Sequence, residues 1–209
     1  MSDDRIDART KDRERLPPGQ ILTQKWPVLH YSHVPRVEAE RWTFRVSGEV
    51  ERPTTIGWEE FVGLPRREVT CDIHCVTTWS RYDNRFAGVP VRSLLERAGI
   101  KPTATHALVH AEPDYTTNLP LEDLLREENL LATHHDGAPL SAEHGGPVRL
   151  LLPHLYLWKS AKWVTGIELM AGDWPGFWED NGYHMRGDPW REERYGRPDP
   201  ARMRRGPRR

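Results

Sequence analysis

Cysteine is scarce: the 209-residue chain has 2. One pair cannot build the disulfide framework of a small secreted domain, and a chain of this length does not need one. Long apolar runs are missing too. The longest, VRLLLPHLYLW at 148–158, is broken by Pro and His and falls short of the roughly 18–20 residues of a membrane span. Net charge is close to nil, with Lys+Arg 30 against Asp+Glu 31 and a balance of −1, so there is no electrostatic case for nucleic acid as the main partner. The opening stretch MSDDRIDARTKDRERLPPGQ lacks an apolar core and so reads as neither a secretory nor a twin-arginine signal. The expectation is a cytoplasmic protein with reduced thiols and no membrane span. No P-loop, G-x-G-x-x-G or G-x-S-x-G occurs, which leaves nucleotide binding and α/β-hydrolase chemistry without support. Against these absences stand 9 Trp, 18 Pro and 10 His, a surplus that points to something polar and rigid to line.

Length and hydrophobic content (37%) suit one domain with its own core. Residues 1–19 are charged and aperiodic and read as a flexible arm; 197–209 form a basic tail, usually just solvated. The domain is expected over 20–196, with no linker and no repeat. Trp42–Val46 alternates as a half-buried strand. Ile56–Leu64 carries a short helical pattern with Thr55 as its N-cap and Pro65 as its stop. Val69–Val76 alternates again, with Cys71, Ile73 and Cys75 on one face. Pro90 opens a helix that ends at Gly99. Ala107–Ala111, Val148–Leu152 and Val164–Leu169 read as strands, and Pro120–Leu125 begins a helix. Strands and short helices interleave irregularly, which favours an α+β fold with a mixed or antiparallel sheet.

Four segments could carry chemistry. Cys75, in Asp72-Ile73-His74-Cys75-Val76-Thr77-Thr78-Trp79-Ser80, stands at a strand end followed by polar residues. The competing reading is a buried small hydrophobe, which suits Cys71 better. Cys71 and Cys75 on one strand face lie about 13 Å apart, too far for a disulfide. His144-Gly145-Gly146-Pro147-Val148-Arg149 sets a tight turn flanked by two groups that could grip an anion. Lys159-Ser160-Ala161-Lys162-Trp163 offers lysines beside small residues, the composition of an anion site or of an amphipathic surface. Gly172–Trp190 is too polar for a core strand and too aromatic for a solvated tail, and reads as a lid or binding loop. A zinc set of Cys71, His74 and Cys75 with His134 and His135 is a further alternative, although its spacing matches no common zinc pattern.

In order, these pieces resemble the molybdopterin-binding domain of the sulfite oxidase family over most of 26–190. IHCVTTWS resembles the family's cysteine loop, most closely in the branch of the methionine sulfoxide reductase catalytic subunit. HGGPVRLLLP is similar to its His/Asn-Gly-x-Pro-x-Arg strand. KSAKW is similar to Ser-Val-Lys-Trp, and WEDNGYHMRGDPW to the end of the catalytic domain, where a Trp precedes a Tyr by five residues. Ser32-His33-Val34-Pro35 is similar to an Asn-His-x-Pro turn.

The resemblance implies a molybdenum cofactor with a single molybdopterin. Cys75 would be the metal ligand and a catalytic residue with Tyr183. Ser32, His33, His144 and Arg149 would hold the pterin and its phosphate, with Ser160, Ala161 and Lys162 adding backbone donors and a cation. It also implies two-electron oxygen-atom transfer on a small molecule, with electrons from a separate protein. Departures bear on the substrate. Where sulfite oxidases place arginines, this chain has Tyr31 and Ser80, with Arg81 adjacent, and it has no counterpart of their dimerisation or haem domains. S-oxide or N-oxide reduction by a monomer is therefore expected in preference to sulfite oxidation. A sulfite oxidase-like dehydrogenase and a non-catalytic binding module with the same fold are the alternatives.

Overall fold

The computed structural model describes residues 14–196. Residues 1–13 of the expected arm and the 197–209 tail lie outside the described residues. Residues 14–19 are not loose. The Arg15 guanidinium pairs with Asp72 at 2.5 Å and Asp83 at 2.7 Å and lies over the Tyr82 ring, and Pro17 is buried.

Two sheets carry the fold. The first has six strands and is organised on β5 (Trp79–Pro90). β4 (Arg67–His74) pairs antiparallel along one side of it, from Arg67↔Gly88 to His74↔Ser80. β8 (Leu130–His135) pairs antiparallel with its C-terminal half, and β1 (Ile21–Leu22) pairs parallel with Trp79 and Ser80. β9 (Ala138–Pro139) and β10 (Arg149–Leu151) extend the sheet from β8. The second sheet has the order β3-β2-β11-β6-β7, from Thr54–Gly57, Thr43–Gly48, Val164–Met170, His106–Ala111 and Tyr115–Pro120. Its β2–β11 pair is parallel and the rest antiparallel. The helices are short: α1 (Trp58–Val62), α2 (Val91–Ala98), α3 (Leu121–Leu124) and α4 (Phe177–Asp180). The fold is α+β with mixed sheets, as the irregular interleaving indicates. Among the described residues no helix is long and apolar enough to cross a membrane.

Alternation explains the packing. Phe44 and Val46 of β2, Ala107 and Val109 of β6, and Ile167 and Leu169 of β11 face one core. Leu131 and Leu150 of the first sheet and Leu94 and Leu95 of α2 join it, so this core sits between the two sheets. Ile73, Phe86, Leu130, Ala132 and Leu151 form a second core, against which Trp26 packs. A third cluster, Cys75, Val76, Tyr156 and Trp158, marks the end of β4 where the candidate site lies.

Sequence patterns located β2, β4, β6, β10, β11 and α2 and missed six strands, the short β1, β3 and β9 among them. β7 and β8 are polar or buried on both faces, and the long β5 alternates poorly because its register shifts near Arg81–Asn84 and at Ala87/Gly88 break the two-residue period. Ile56 belongs to β3, paired with Phe44, rather than to a helix. α1 begins after Gly57, and no Thr55 cap forms. Phe86 is fully buried and meets Trp26 edge-on at 5.6 Å. Phe86→Ala is expected to cost about 3–5 kcal/mol, read from urea unfolding curves.

Candidate active site

β4 delivers Cys75 just beyond its last residue, His74. The loop to β5 closes with Cys75 N–H donating to the Trp79 carbonyl at 2.8 Å and Thr78 N–H to the Cys75 carbonyl at 3.0 Å. Thr78 has φ 76, a conformation that costs a β-branched residue on the order of 1–3 kcal/mol. Cys75 is 7% exposed; its thiol lies 3.1 Å from the Thr77 hydroxyl, and the residue lines a cavity of about 300 Å³. Burial pushes the thiol pKa up; the Thr77 hydrogen bond and the positive charges of Arg194 and Lys162 oppose it.

Arg149, Ser160, Ala161, Lys162 and Tyr183 line the same cavity. β10 puts Arg149 there, 2% exposed, with its guanidinium donating to the His144 carbonyl at 2.9 Å and the Ser160 carbonyl at 3.0 Å. Its Nε is buried without a partner, and burial alone lowers its pKa to about 10; no carboxylate offsets the charge. Lys162 donates to the Leu29 and Glu143 carbonyls and has a third N–H left over. Burial, then repulsion from Arg149, lowers its pKa to about 8, against the attraction of Cys75 and Glu143. Gly145, at φ 101, lets the turn approach so closely that a Cβ would lie 2.9 Å from that of Lys162. Among the described residues Glu112 is the only acid lining the cavity. Two cations in a nearly acid-free, buried wall are costly unless an anion meets them.

The other expected residues are placed differently. The His144 ring stacks on Trp26 at 4.0 Å and its Nε2 is 3.2 Å from the Trp26 carbonyl, so it braces a cavity wall from behind. Ser32 and His33 are exposed, 3.2 Å from each other, and do not line the cavity; His30 and Tyr31 do. Tyr31 packs on Phe177 at 4.2 Å and its hydroxyl donates to the Pro113 carbonyl, which anchors the chain two residues early. The backbone donors expected of Ser160 and Ala161 are already committed, to the Leu157 and Lys159 carbonyls at 3.1 Å each. The zinc set does not assemble: among the described residues no group of three or more His, Cys, Asp or Glu could hold a metal ion. His74 is hydrogen-bonded to Ser80, His134 meets Arg66, and His135 packs on Trp26.

The 172–190 segment is a fixed wall. Trp178 stacks on Tyr183 at 4.9 Å, and Trp158 meets Tyr183 edge-on at 5.1 Å. Behind them Glu179 accepts from Lys159 at 2.5 Å, Trp158 Nε1 at 2.8 Å and the Thr117 hydroxyl at 2.9 Å. Lys159 also donates to the Asn118 and Met185 carbonyls at 2.6 Å each, so it serves structure and leaves Lys162 to the cavity. Burial pushes the Tyr183 phenol up, helped by Tyr195 and Cys75. Trp79, in the cysteine loop, lines the cavity as its segment implied, whereas Trp26, Tyr115 and Trp158 were missed as lining residues; the Trp surplus was the only sequence signal for the two tryptophans. Arg81, beside Ser80, turns away to Asn84, His135 and Asp136.

Residues 31–178 match the family described as the oxidoreductase molybdopterin binding domain. The chain belongs to the sulfite oxidase family of molybdopterin oxidoreductases. It is an oxidoreductase, and its cofactor is molybdopterin. It is 50% identical over 182 residues to the uncharacterized oxidoreductase YuiH of Bacillus subtilis (strain 168), covering 87% of this chain and 92% of that one. It is 28% identical over 159 residues to the protein-methionine-sulfoxide reductase catalytic subunit MsrP of Campylobacter jejuni, covering 67% of this chain and 52% of that subunit. The sulfane dehydrogenase SoxCD of Paracoccus pantotrophus has the same fold, with TM-score 0.65, 21% identity, and coverage of 73% of this chain and 43% of that one. The chain thus spans about half the length of the last two.

The residues present fit the cofactor of this family. A soft thiol, an unoffset buried guanidinium and the unpartnered indole N–H of Trp79 face one cavity, where they can meet a metal, a phosphate and a polar ring system.

Asp123 pins Arg186 of the wall segment at 2.7 and 3.0 Å and lies 3.4 Å from His154. Burial alone would raise its pKa; the His154 and Arg186 interactions outweigh burial and hold it well below the carboxylate range. Such a group contributes stability above its unfolded pKa of about 3.9 and loses it as pH falls. Asp123→Asn is expected to cost about 1–3 kcal/mol at neutral pH and to flatten the stability profile below about pH 4, checked by thermal melts across pH.

Proposed function

We propose that this oxidoreductase catalyses two-electron oxygen-atom transfer on a small molecule, reducing an S-oxide or N-oxide, with a molybdenum-bearing single molybdopterin and electrons from a separate protein. The observation that carries the reading is the sharing of one cavity by the Cys75 thiol, the unoffset Arg149 guanidinium and the Lys162 ammonium.

Cys75 would hold the metal as a thiolate. Its raised pKa keeps the free site protonated, so binding the metal releases the proton. Arg149 Nε and the spare N–H of Lys162 would take the phosphate, a charge-assisted grip that also removes the cost of burying them. When bound, the cofactor supplies a two-electron metal centre for exchanging an oxygen atom. Tyr183, which keeps its proton at neutral pH, can donate a hydrogen bond from its hydroxyl to an S–O or N–O oxygen. Trp158 and Trp178 hold that ring and exclude water. A neutral substrate is favoured because Arg81, the cation adjacent to the cysteine loop, is occupied by Asn84 and Asp136, and because the two lining cations are the ones assigned to phosphate. The names of MsrP and similar relatives, 27–29% identical, support sulfoxide reduction as the direction.

Protein purified from a molybdenum-replete host is expected to carry about one Mo and one pterin per chain by elemental analysis and fluorescence of the oxidised pterin. Cys75→Ser should keep the pterin and lose turnover. Arg149→Gln should retain pterin about ten- to a hundredfold more weakly, since charge-assisted hydrogen bonds are lost. Full turnover by the Cys75 variant overturns the assignment.

A further inference from the structure

The loop that presents Cys75 is held from outside the family match. Thr78, in the left-handed region, needs surroundings that over-determine its conformation. Within the loop, Thr78 donates its N–H to the Cys75 carbonyl and its hydroxyl to the Thr77 carbonyl. The remaining donors come from two other segments. Ile21 N–H donates to the Thr78 carbonyl at 2.8 Å, Gln20 Nε2 donates to the Cys75 carbonyl at 3.1 Å, and Arg194 Nη1 donates to the Val76 carbonyl. Residues 20, 21 and 194 all lie beyond 31–178. The two segments also meet each other: a Cβ on Gly19 would lie 2.9 Å from the Glu192 carboxylate and 3.4 Å from Arg194.

Arg194 is tied to both halves of the proposed chemistry. Its guanidinium lies over the Tyr156 ring at 5.0 Å, within the cluster around Cys75, and its Nη2 is buried without a partner. Its carbonyl accepts from His184 N–H at 3.2 Å, and the next residue, Tyr195, bridges to Tyr183. One short stretch therefore registers the backbone beside the thiol against the backbone beside the phenol.

We propose that Arg194 is a positioning residue for Cys75: its hydrogen bond to the Val76 carbonyl sets where the sulfur is presented to the metal. The proposal rests on the reading of Cys75 as the metal ligand. Gln20 and Ile21 hold the two ends of the loop, and Arg194 holds the peptide next to the ligand itself.

Arg194→Ala and Arg194→Lys test it with readouts besides turnover. The Ala variant should keep its pterin, because Arg149 and Lys162 are untouched. It should shift or weaken the visible thiolate-to-metal absorption, and in cofactor-free protein speed amide exchange over residues 75–79 about tenfold, the effect of one lost hydrogen bond. Its kcat should fall with KM little changed, and Lys, which can donate to the same carbonyl, should recover part of the absorption. Should the Ala variant fail to fold, Arg194→Gln carries the same measurements. A loaded Ala variant matching wild type in absorption and exchange overturns the proposal, as does a Lys variant no better than Ala. Wild-type protein that holds pterin but no molybdenum overturns instead the assignment of Cys75.

Discussion

Arg149 is a guanidinium buried without a carboxylate, and the site is arranged around that constraint. In a protein interior such a charge is costly, and here two carbonyl acceptors and a flanking indole surround it while its Nε stays buried without a partner. β10 puts it there by pairing with β8, and the Gly145 turn brings Lys162 alongside. A second cation beside the first raises the cost again. On the proposed reading an anionic phosphate would answer both, and stability and cofactor retention would be coupled through the same two side chains.

The opposite wall is held by a buried pair that works the other way, with each charge matched. Lys159 and Glu179 are both fully buried, and burial depresses the lysine while Glu179 supports it. Their hydrogen bonds reach β7, Trp158 and Met185, so the segment carrying Trp178 and Tyr183 is locked to the sheet. Gly187, at φ 82, meets the Trp158 ring so closely that a Cβ would lie 2.7 Å from it. A wall of this kind fixes Tyr183 at the cavity without needing closure of a loop.

Much of the site was legible from residue types in order. Cys75, Arg149, Lys162 and Tyr183 do share a cavity; a strand end, a Gly-Gly-Pro turn and an aromatic run marked their segments, while the choice of Lys162 and Tyr183 within them came from the family resemblance. Ser32 and His33 were misplaced because the anchoring of Tyr31 on Phe177 is a contact across the chain. The Ser160 and Ala161 amides looked available because small residues leave a backbone accessible, but their hydrogen bonds are decided by the turn's own geometry. Lys159 and Lys162 cannot be told apart by composition; only burial against Glu179 separates the structural lysine from the cavity one.

The residues alone determined the chemistry on offer: a soft ligand, cations beside small residues and an aromatic run with a phenol, in an α+β chain with no disulfide framework and no membrane-spanning run. Those follow from side-chain identity and local periodicity, which a linear string records. The tertiary structure decided which of them face the cavity, which cation lacks a counter-charge, and that Gln20, Ile21 and Arg194 brace the Cys75 loop from both flanks of the domain. Burial and hydrogen-bond commitment are properties of surroundings drawn from distant parts of the chain, and no local pattern carries them.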